Sequence, residues 1–268
     1  MSDQMGKKPK KKVNIFAIIV LIICLCGLGY CGYKLYKIWL DYHTSDTEYE
    51  QLIEDFVTLP ETIIDKDNGA EEDSAYSYLE IDWEALKNKN PDIIGWIRIP
   101  DTPINYPIVQ GDTNEDYIHT TVEGTYSSAG SVFLNCDNVS DLSDYVSVIY
   151  GHNMGNGSMF TALRYYLEED YLNEHKCIEI YTPQWAKIYT PKFIYTSHYT
   201  DDAYSPWIKE FNTYKSYLEA RNKQSKFKLD YTDMENSIVL STCYGKSGTE
   251  YRMLVIIQPS KDYETIYY

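Results

Sequence analysis

Three residues of this 268-residue chain are of the types that together exchange acyl groups: Cys243, His152 and Arg252. Cys243 closes an apolar run, Ile238 to Thr242, and opens onto Tyr244-Gly245-Lys246-Ser247-Gly248, a loop with two glycines. A thiol at a strand end beside a glycine turn is within reach of a substrate, whereas most free cysteines are buried packing residues. His152 also follows a strand-like run, Tyr145 to Tyr150, and sits in the turn Gly151-His152-Asn153-Met154-Gly155. Arg252 opens another run nine residues after Cys243, near enough to return beside it across a hairpin. Such a set offers a thiol nucleophile, an imidazole to exchange protons with it and with a leaving group, and a permanent cation where an oxyanion develops.

Rival sites are weaker. His119, in Tyr117-Ile118-His119-Thr120-Thr121, could compete with His152 but lacks the glycine-flanked strand end. His175 and Cys177 have an HxC spacing, and two ligands do not make a zinc site. The acidic stretch Asp65 to Asp73 begins like a calcium loop, but its Gly69 falls one place early and Tyr76 stands where a bidentate Glu is required, so it reads as a linker. Neither metal nor cofactor is expected.

The elements that must position these residues are mostly strands. From Ile93 onward, nine short β-rich runs follow one another: IIGWIRI, INYPIVQ, SVFLN, YVSVIYG, CIEIYT, AKIYTPKFIY, FKLDY, SIVLSTC and EYRMLVIIQ. Turn residues and only two helical interruptions separate them, which predicts a mostly β barrel or sandwich. The interruptions are Ser158 to about Asn173 and Ser205 to about Asn222, the second with Ser205 as N-cap and Pro206 in its first turn. Its apolar face reads Trp207, Ile208, Phe211, Tyr214 and Leu218, leaving Lys209, Glu210, Lys215 and Glu219 to water. Upstream, Asp82 caps a short helix that carries Trp83 and Leu86 and stops at Asn90-Pro91. Residues 34–57 read as a further amphipathic helix, with Leu52, Ile53, Phe56 and Val57 on one side.

Charge is divided along the chain. The formal total is −16, yet residues 1–40 carry seven lysines and one acid. Nucleic acid is an improbable partner for so acidic a body, because phosphate binding needs a basic stripe. Lys7, Lys8, Lys10, Lys11 and Lys12 precede Val13 to Tyr33, 21 residues with Asn14 as the only strongly polar one. A helix of that length spans about 30 Å, a bilayer core, and the run is too long for a cleaved signal peptide. Against Lys34 and Lys37 beyond it, the five lysines put the N-terminus in the cytoplasm by the positive-inside rule. The expected order is a basic cytoplasmic tail (1–12), a transmembrane anchor (13–33), a helical and acidic stalk or linker (34–79) and an extracellular catalytic domain (80–268). Cys24, Cys26 and Cys31 fall in the anchor, leaving Cys136, Cys177 and Cys243 outside, an odd number that leaves at least one thiol free or shared between chains.

The combination is similar to the sortases, membrane-anchored cysteine transpeptidases of Gram-positive bacteria, and most to their class B. The matching text is NPDIIGWIRIPDTPINYPIVQGDTNEDYI, then SSAGSVFLN, VIYGHNMGNGSMFTALRYY and VLSTCYGKSGTEYRMLVI, in family order over about residues 80–258. The resemblance implies a closed eight-stranded β-barrel with N-terminal helices and a helix between the sixth and seventh strands. It implies Cys243 as nucleophile, His152 as general acid/base and Arg252 as the stabiliser of the substrate carbonyl. Ser241, Thr242 and Tyr244 around the thiol, and His198, Tyr199 and Tyr204 in the loop before the inserted helix, would bind the peptide. A secreted protein's C-terminal sorting motif would be cut after its Thr, held as a thioester and passed to an amine, of a cell-wall cross-bridge or of a pilin lysine. The same residues permit a membrane-tethered cysteine peptidase, and a non-catalytic binding or pilus-assembly module is a third reading that the intact triad opposes. Val239, Tyr244 and Cys136 depart from the family text, where Thr, an acidic or other polar residue and Asp are common. Cys136 and Cys177 read as structural, with a mutual disulfide as the alternative. Leu59-Pro60-Glu61-Thr62-Ile63 looks like a sorting motif but lacks the C-terminal apolar segment and basic tail of a real one.

Overall fold

The structure, a computed structural model, describes residues 15–59, 76–245 and 248–268. The basic tail 1–12, the first two residues of the anchor, the stretch Asp65 to Asp73, residues 60–63 of the motif-like segment, and Lys246 and Ser247 lie outside them. The chain divides into two compact units, Met1–His43 and Thr44–Tyr268.

In the first unit the described residues belong to helix α1 (Ile15–Phe56), which exposes a dense set of apolar side chains, among them Leu21, Ile23, Leu25, Leu28 and Leu35. The helix is long and apolar enough to cross a membrane. The helix runs through residue 34 without a break, so the segment read as anchor and the start of the segment read as stalk share one helix.

In the second unit, the last turns of α1 bury Tyr49 and Leu52, and the Tyr49 hydroxyl donates to the Gly130 carbonyl at 2.6 Å. Val57–Thr58 then pair antiparallel with Glu80–Ile81. Helix α2 (Trp83–Lys89) follows, with the Asp82 carboxylate accepting from the Ala85 N–H at 3.0 Å and Leu86 fully buried, the expected cap and face.

Eight strands form the barrel: β1 (Ile93–Arg98), β2 (Asn105–Val109), β3 (Val132–Leu134), β4 (Val146–Tyr150), β5 (Ile178–Tyr181), β6 (Trp185–His198), β7 (Ser237–Cys243) and β8 (Tyr251–Pro259). They pair in the order β8-β7-β4-β3-β2-β1-β5-β6, and β6 returns to β8 to close the ring. The β2–β3 and β4–β7 pairs are parallel and the others antiparallel. Closure removes the unpaired edges that an open sheet would expose. Short strand Ile266–Tyr267 adds to β6 outside the ring. FKLDY, expected as a ninth strand, is irregular: Phe227 lies in a bend, and Tyr231 packs its ring edge-on against Phe193, 5.0 Å between centroids.

Between β4 and β5 lie a 3-10 helix, Phe160–Leu167, and helix α3 (Glu169–Glu174). Helix α4 (Phe211–Gln224) sits between β6 and β7. Its start differs from the sequence expectation. The Ser205 hydroxyl donates to the Asp202 carbonyl and Ser205 accepts from the Ile208 N–H, so Ser-Pro makes a separate turn and the helix begins six residues later. Because that first stretch is not helical, Trp207 and Phe211 turn outward and are exposed, while Ile208, Tyr214, Tyr217 and Leu218 are buried. They pack on Val146, Val148, Val239, Leu254 and Ile256, one face of β4, β7 and β8. Burying a side chain such as Leu218 is worth about 1.5–3 kcal/mol.

Candidate active site

That packed face determines where the chemical groups point. Side chains alternate along a strand, so on β7 Ser241 and Cys243 share the face of Val239, and on β8 Arg252 shares the face of Leu254. Register completes the pairing, because Arg252 lies directly opposite Cys243 in the antiparallel β7–β8 ladder. Thiol and guanidinium are therefore neighbours on the outer face of the barrel, at the end of the strands. The Arg252 Nη1 group donates to the Thr249 carbonyl at 2.7 Å and to the Tyr251 carbonyl at 3.0 Å, which ties the guanidinium to its own hairpin.

His152 reaches the same place from β4. The Gly151 N–H donates to the Ser241 carbonyl at 3.1 Å, extending the β4–β7 ladder by one rung past the strand. The Asn153 side chain donates to the Cys243 carbonyl at 2.9 Å, so the residue after the imidazole is bonded to the residue that bears the thiol. His152 Nε2 lies 2.8 Å from the Ile118 carbonyl. A carbonyl only accepts, so Nε2 carries a proton and the other nitrogen, Nδ1, is the one free to gain or lose one. Burial lowers the proton affinity of His152 below the usual histidine value, and His119 and Arg252 add to that, against the Ile118 hydrogen bond.

Cys243, His152 and Arg252 line one cleft of about 150 Å³ together with Ile118, Phe133, Tyr150, Gly151, Ser241 and Thr242. A larger cavity, about 820 Å³, lies at the other ends of β4 and β6 around Trp83, Leu142 and Trp185, with no thiol or histidine in its lining. A partly exposed thiol, an imidazole of lowered proton affinity and a fixed cation in one small cleft have the makings of acyl transfer.

The six residues expected to bind peptide divide into two groups. Ser241 and Thr242 line the cleft, and the Ser241 hydroxyl is bonded to the Tyr204 hydroxyl at 2.8 Å. Tyr204 thus supports the cleft from beneath, its ring stacked on Tyr150 at 6.0 Å. The buried Thr242 hydroxyl has no hydrogen-bond partner among the described residues. Tyr244, His198 and Tyr199 are outside the lining, on an exposed rim. There His198 pairs in register with Tyr251 and its Nε2 lies 3.4 Å from Glu250.

The rim loop is held by a buried cation. Arg221 on α4, 1% exposed, donates to the Asp201 carboxylate at 2.6 Å and pairs with Asp202. All six cysteines are free, so Cys136 and Cys177 form no disulfide, and the Cys177 thiol donates to the Tyr263 hydroxyl at 3.3 Å. Sequence reading missed Asn153, Ile118 and Arg221, whose partners lie 90, 34 and 20 residues away. Asn153 alone left a local signal, its place in the glycine-flanked turn.

With that geometry in hand, the comparisons are direct. Residues 97–260 match the sortase domain family. The chain is 25% identical to sortase B of Staphylococcus aureus over 249 residues, covering 92% of this chain and 97% of that protein. It is 32% identical to sortase B of Listeria monocytogenes over 64% of this chain and 70% of that one. Its fold is similar to that of the Staphylococcus aureus sortase B–substrate complex, with a TM-score of 0.61 and 28% identity over 66% of this chain and 84% of that one.

Proposed function

Because the chain belongs to the sortase family, whose members are cysteine transpeptidases, we propose that it cleaves the sorting motif of a secreted protein after Thr and transfers the acyl group to a cell-wall amine. The observation that carries this reading is the β7–β8 register, with Arg252 opposite Cys243 and His152 in the same cleft. Cys243 Sγ attacks the carbonyl carbon of the Thr–Xaa bond while the guanidinium of Arg252 meets the oxygen on which negative charge develops. His152 Nδ1 takes up the thiol proton and gives it to the departing amine, while Nε2 keeps its own proton and donates it in a hydrogen bond to the Ile118 carbonyl. The thioester stores the acyl group at a sulfur that is a good leaving group, and an incoming amine repeats the steps in reverse. The solved complex of a relative with its substrate supports a peptide ligand, and Ser241, Thr242 and Tyr244, with His198, Tyr199 and Tyr204, are the residues proposed to receive it.

Cell-surface placement follows the family, and the apolar length of α1 supports an anchor. The proposed organisation is a cytoplasmic tail (1–12), an anchor (13–33), a stalk (34–79) and an outward-facing catalytic domain (80–268), oriented by the five lysines before the span. The test uses the full chain in detergent with a library of sorting-motif peptides and amine acceptors, read by mass spectrometry. Cleavage after Thr with a peptide–amine product is the expected result. Cleavage giving only the free acid would make the protein a peptidase, and use of a lysine side chain alone would make it a pilin polymerase.

A further inference from the structure

Two consecutive residues from the loop after β2 reach His152. The Ile118 carbonyl accepts a hydrogen bond from His152 Nε2 at 2.8 Å. The His119 imidazole lies nearly parallel to that of His152, with planes 7° apart and centroids 5.7 Å apart, an offset stack. The backbone there is fixed: Ser127 N–H donates to the His119 carbonyl at 3.0 Å, and Ser131 N–H to the Tyr117 carbonyl at 3.0 Å. Gly130 makes the approach possible, since its φ is +54° and a Cβ there would lie 2.2 Å from the Ile118 oxygen. His119 is itself exposed on its other side and leans on Tyr126, 5.9 Å between centroids.

We propose that His119 is a positioning residue for His152: its ring is a wall that, with the Ile118 carbonyl, fixes the imidazole plane and leaves Nδ1 as the nitrogen that meets the thiol. The inference rests on the catalytic reading of His152. A hydrogen bond to one nitrogen leaves the ring free to swing about that bond, and a flat neighbour removes the swing. The neighbour is also a base, so two imidazoles this close resist being charged together. The other titratable or charged groups in the cleft are Arg252 from β8, Cys243 from β7 and Tyr150 from β4, and Arg252 acts on His152 in the same direction as His119.

His119→Ala removes both the wall and the neighbouring base, and His119→Phe keeps a wall without a titratable ring. Both variants, made in the full chain in detergent micelles with ¹⁵N-labelled histidine, are compared with the unmodified protein. The first readout is the His152 ¹⁵N titration, which needs no substrate and so stands apart from whether Cys243 forms a thioester. The second is kcat and KM for a cleaved sorting-motif peptide. In both variants the His152 titration midpoint moves upward, because the neighbouring imidazole that disfavours its charged form is gone. In His119→Ala a population with the proton on Nδ1 appears, and kcat falls by about 2- to 12-fold, the rate equivalent of one aromatic stack, with KM unchanged. His119→Phe loses less of kcat than His119→Ala. Unmoved His152 titration and unchanged tautomer in both variants would overturn the proposal, whether or not kcat fell, because a merely structural loop residue behaves that way.

Discussion

A methyl group added at Gly151 tests how tightly the imidazole is placed. Built on the backbone, its Cβ would lie 2.6 Å from Phe160 Cγ and 2.8 Å from Cδ2. Ordinary carbon contacts begin at about 3.5 Å, so Cβ and ring must separate by about 0.9 Å. Phe160 is completely buried and its N–H is bonded to the His152 carbonyl at 2.9 Å. Gly151 N–H in turn is bonded to Ser241 at 3.1 Å. With both partners pinned, the strain falls on the segment that carries His152. Overpacking of this kind costs about 1–3 kcal/mol, and at this chain size each kcal/mol lowers Tm by about 2–4 °C. Displacing a proton-transfer group by about 1 Å costs on the order of 100-fold in rate, so Gly151→Ala should lose far more activity than stability. Thermal unfolding by circular dichroism and kcat/KM with a cleaved peptide measure the two. Adding Phe160→Ala to Gly151→Ala should cost less stability than Phe160→Ala does alone, because the clash is relieved. A Gly151→Ala protein with normal Tm and rate, or strictly additive stabilities, would refute the reasoning.

Arg221→Ala should destabilise the fold by about 3–5 kcal/mol in chemical denaturation, since it leaves the buried Asp201 carboxylate, 8% exposed, without its cation. His152 binds a proton less readily folded than unfolded. As pH falls below about 6.5 the unfolded chain is protonated first, so stability declines toward the lower folded value. His152→Gln should lack that decline, and a stability difference from the unmodified protein that is the same at pH 8 and pH 5 would contradict it. Exchanging residues 196–206 for those of a relative with another preference should change which peptide is cleaved while Cys243 still reacts with a general thiol reagent. An unchanged peptide ranking in the folded exchange protein would assign specificity to another part of the groove.

Strand runs are legible where local composition decides them. Eight of the nine runs became the barrel because each is rich in β-branched or aromatic residues and bounded by turns. FKLDY has only alternating polarity and no paired partner, and tertiary packing uses Tyr231 as a cover for Phe193 instead. The inserted helix was legible in kind but not in start: Ser205-Pro206 is as good a signal for a turn as for a cap. Buried Arg221 on its inner face could not be read at all, because the carboxylates that make its burial tolerable precede it by about a turn-rich loop's length in sequence, at Asp201 and Asp202. The thiol and guanidinium were legible because a nine-residue hairpin is a local object. The grip on His152 by Ile118 and His119 was not, because it depends on a closure across 34 residues that no short pattern encodes.

The central claim is that one thiol of six carries the acyl group. Intact-mass spectrometry of the full chain trapped with a sorting-motif peptide, followed by peptide mapping, measures it directly. The unmodified protein, Cys136→Ala and Cys177→Ala should each gain one acyl mass that maps to Cys243 and disappears on adding an amine, and Cys243→Ala should gain none. An acyl group on Cys136 or Cys177, or turnover by Cys243→Ala, would contradict the account.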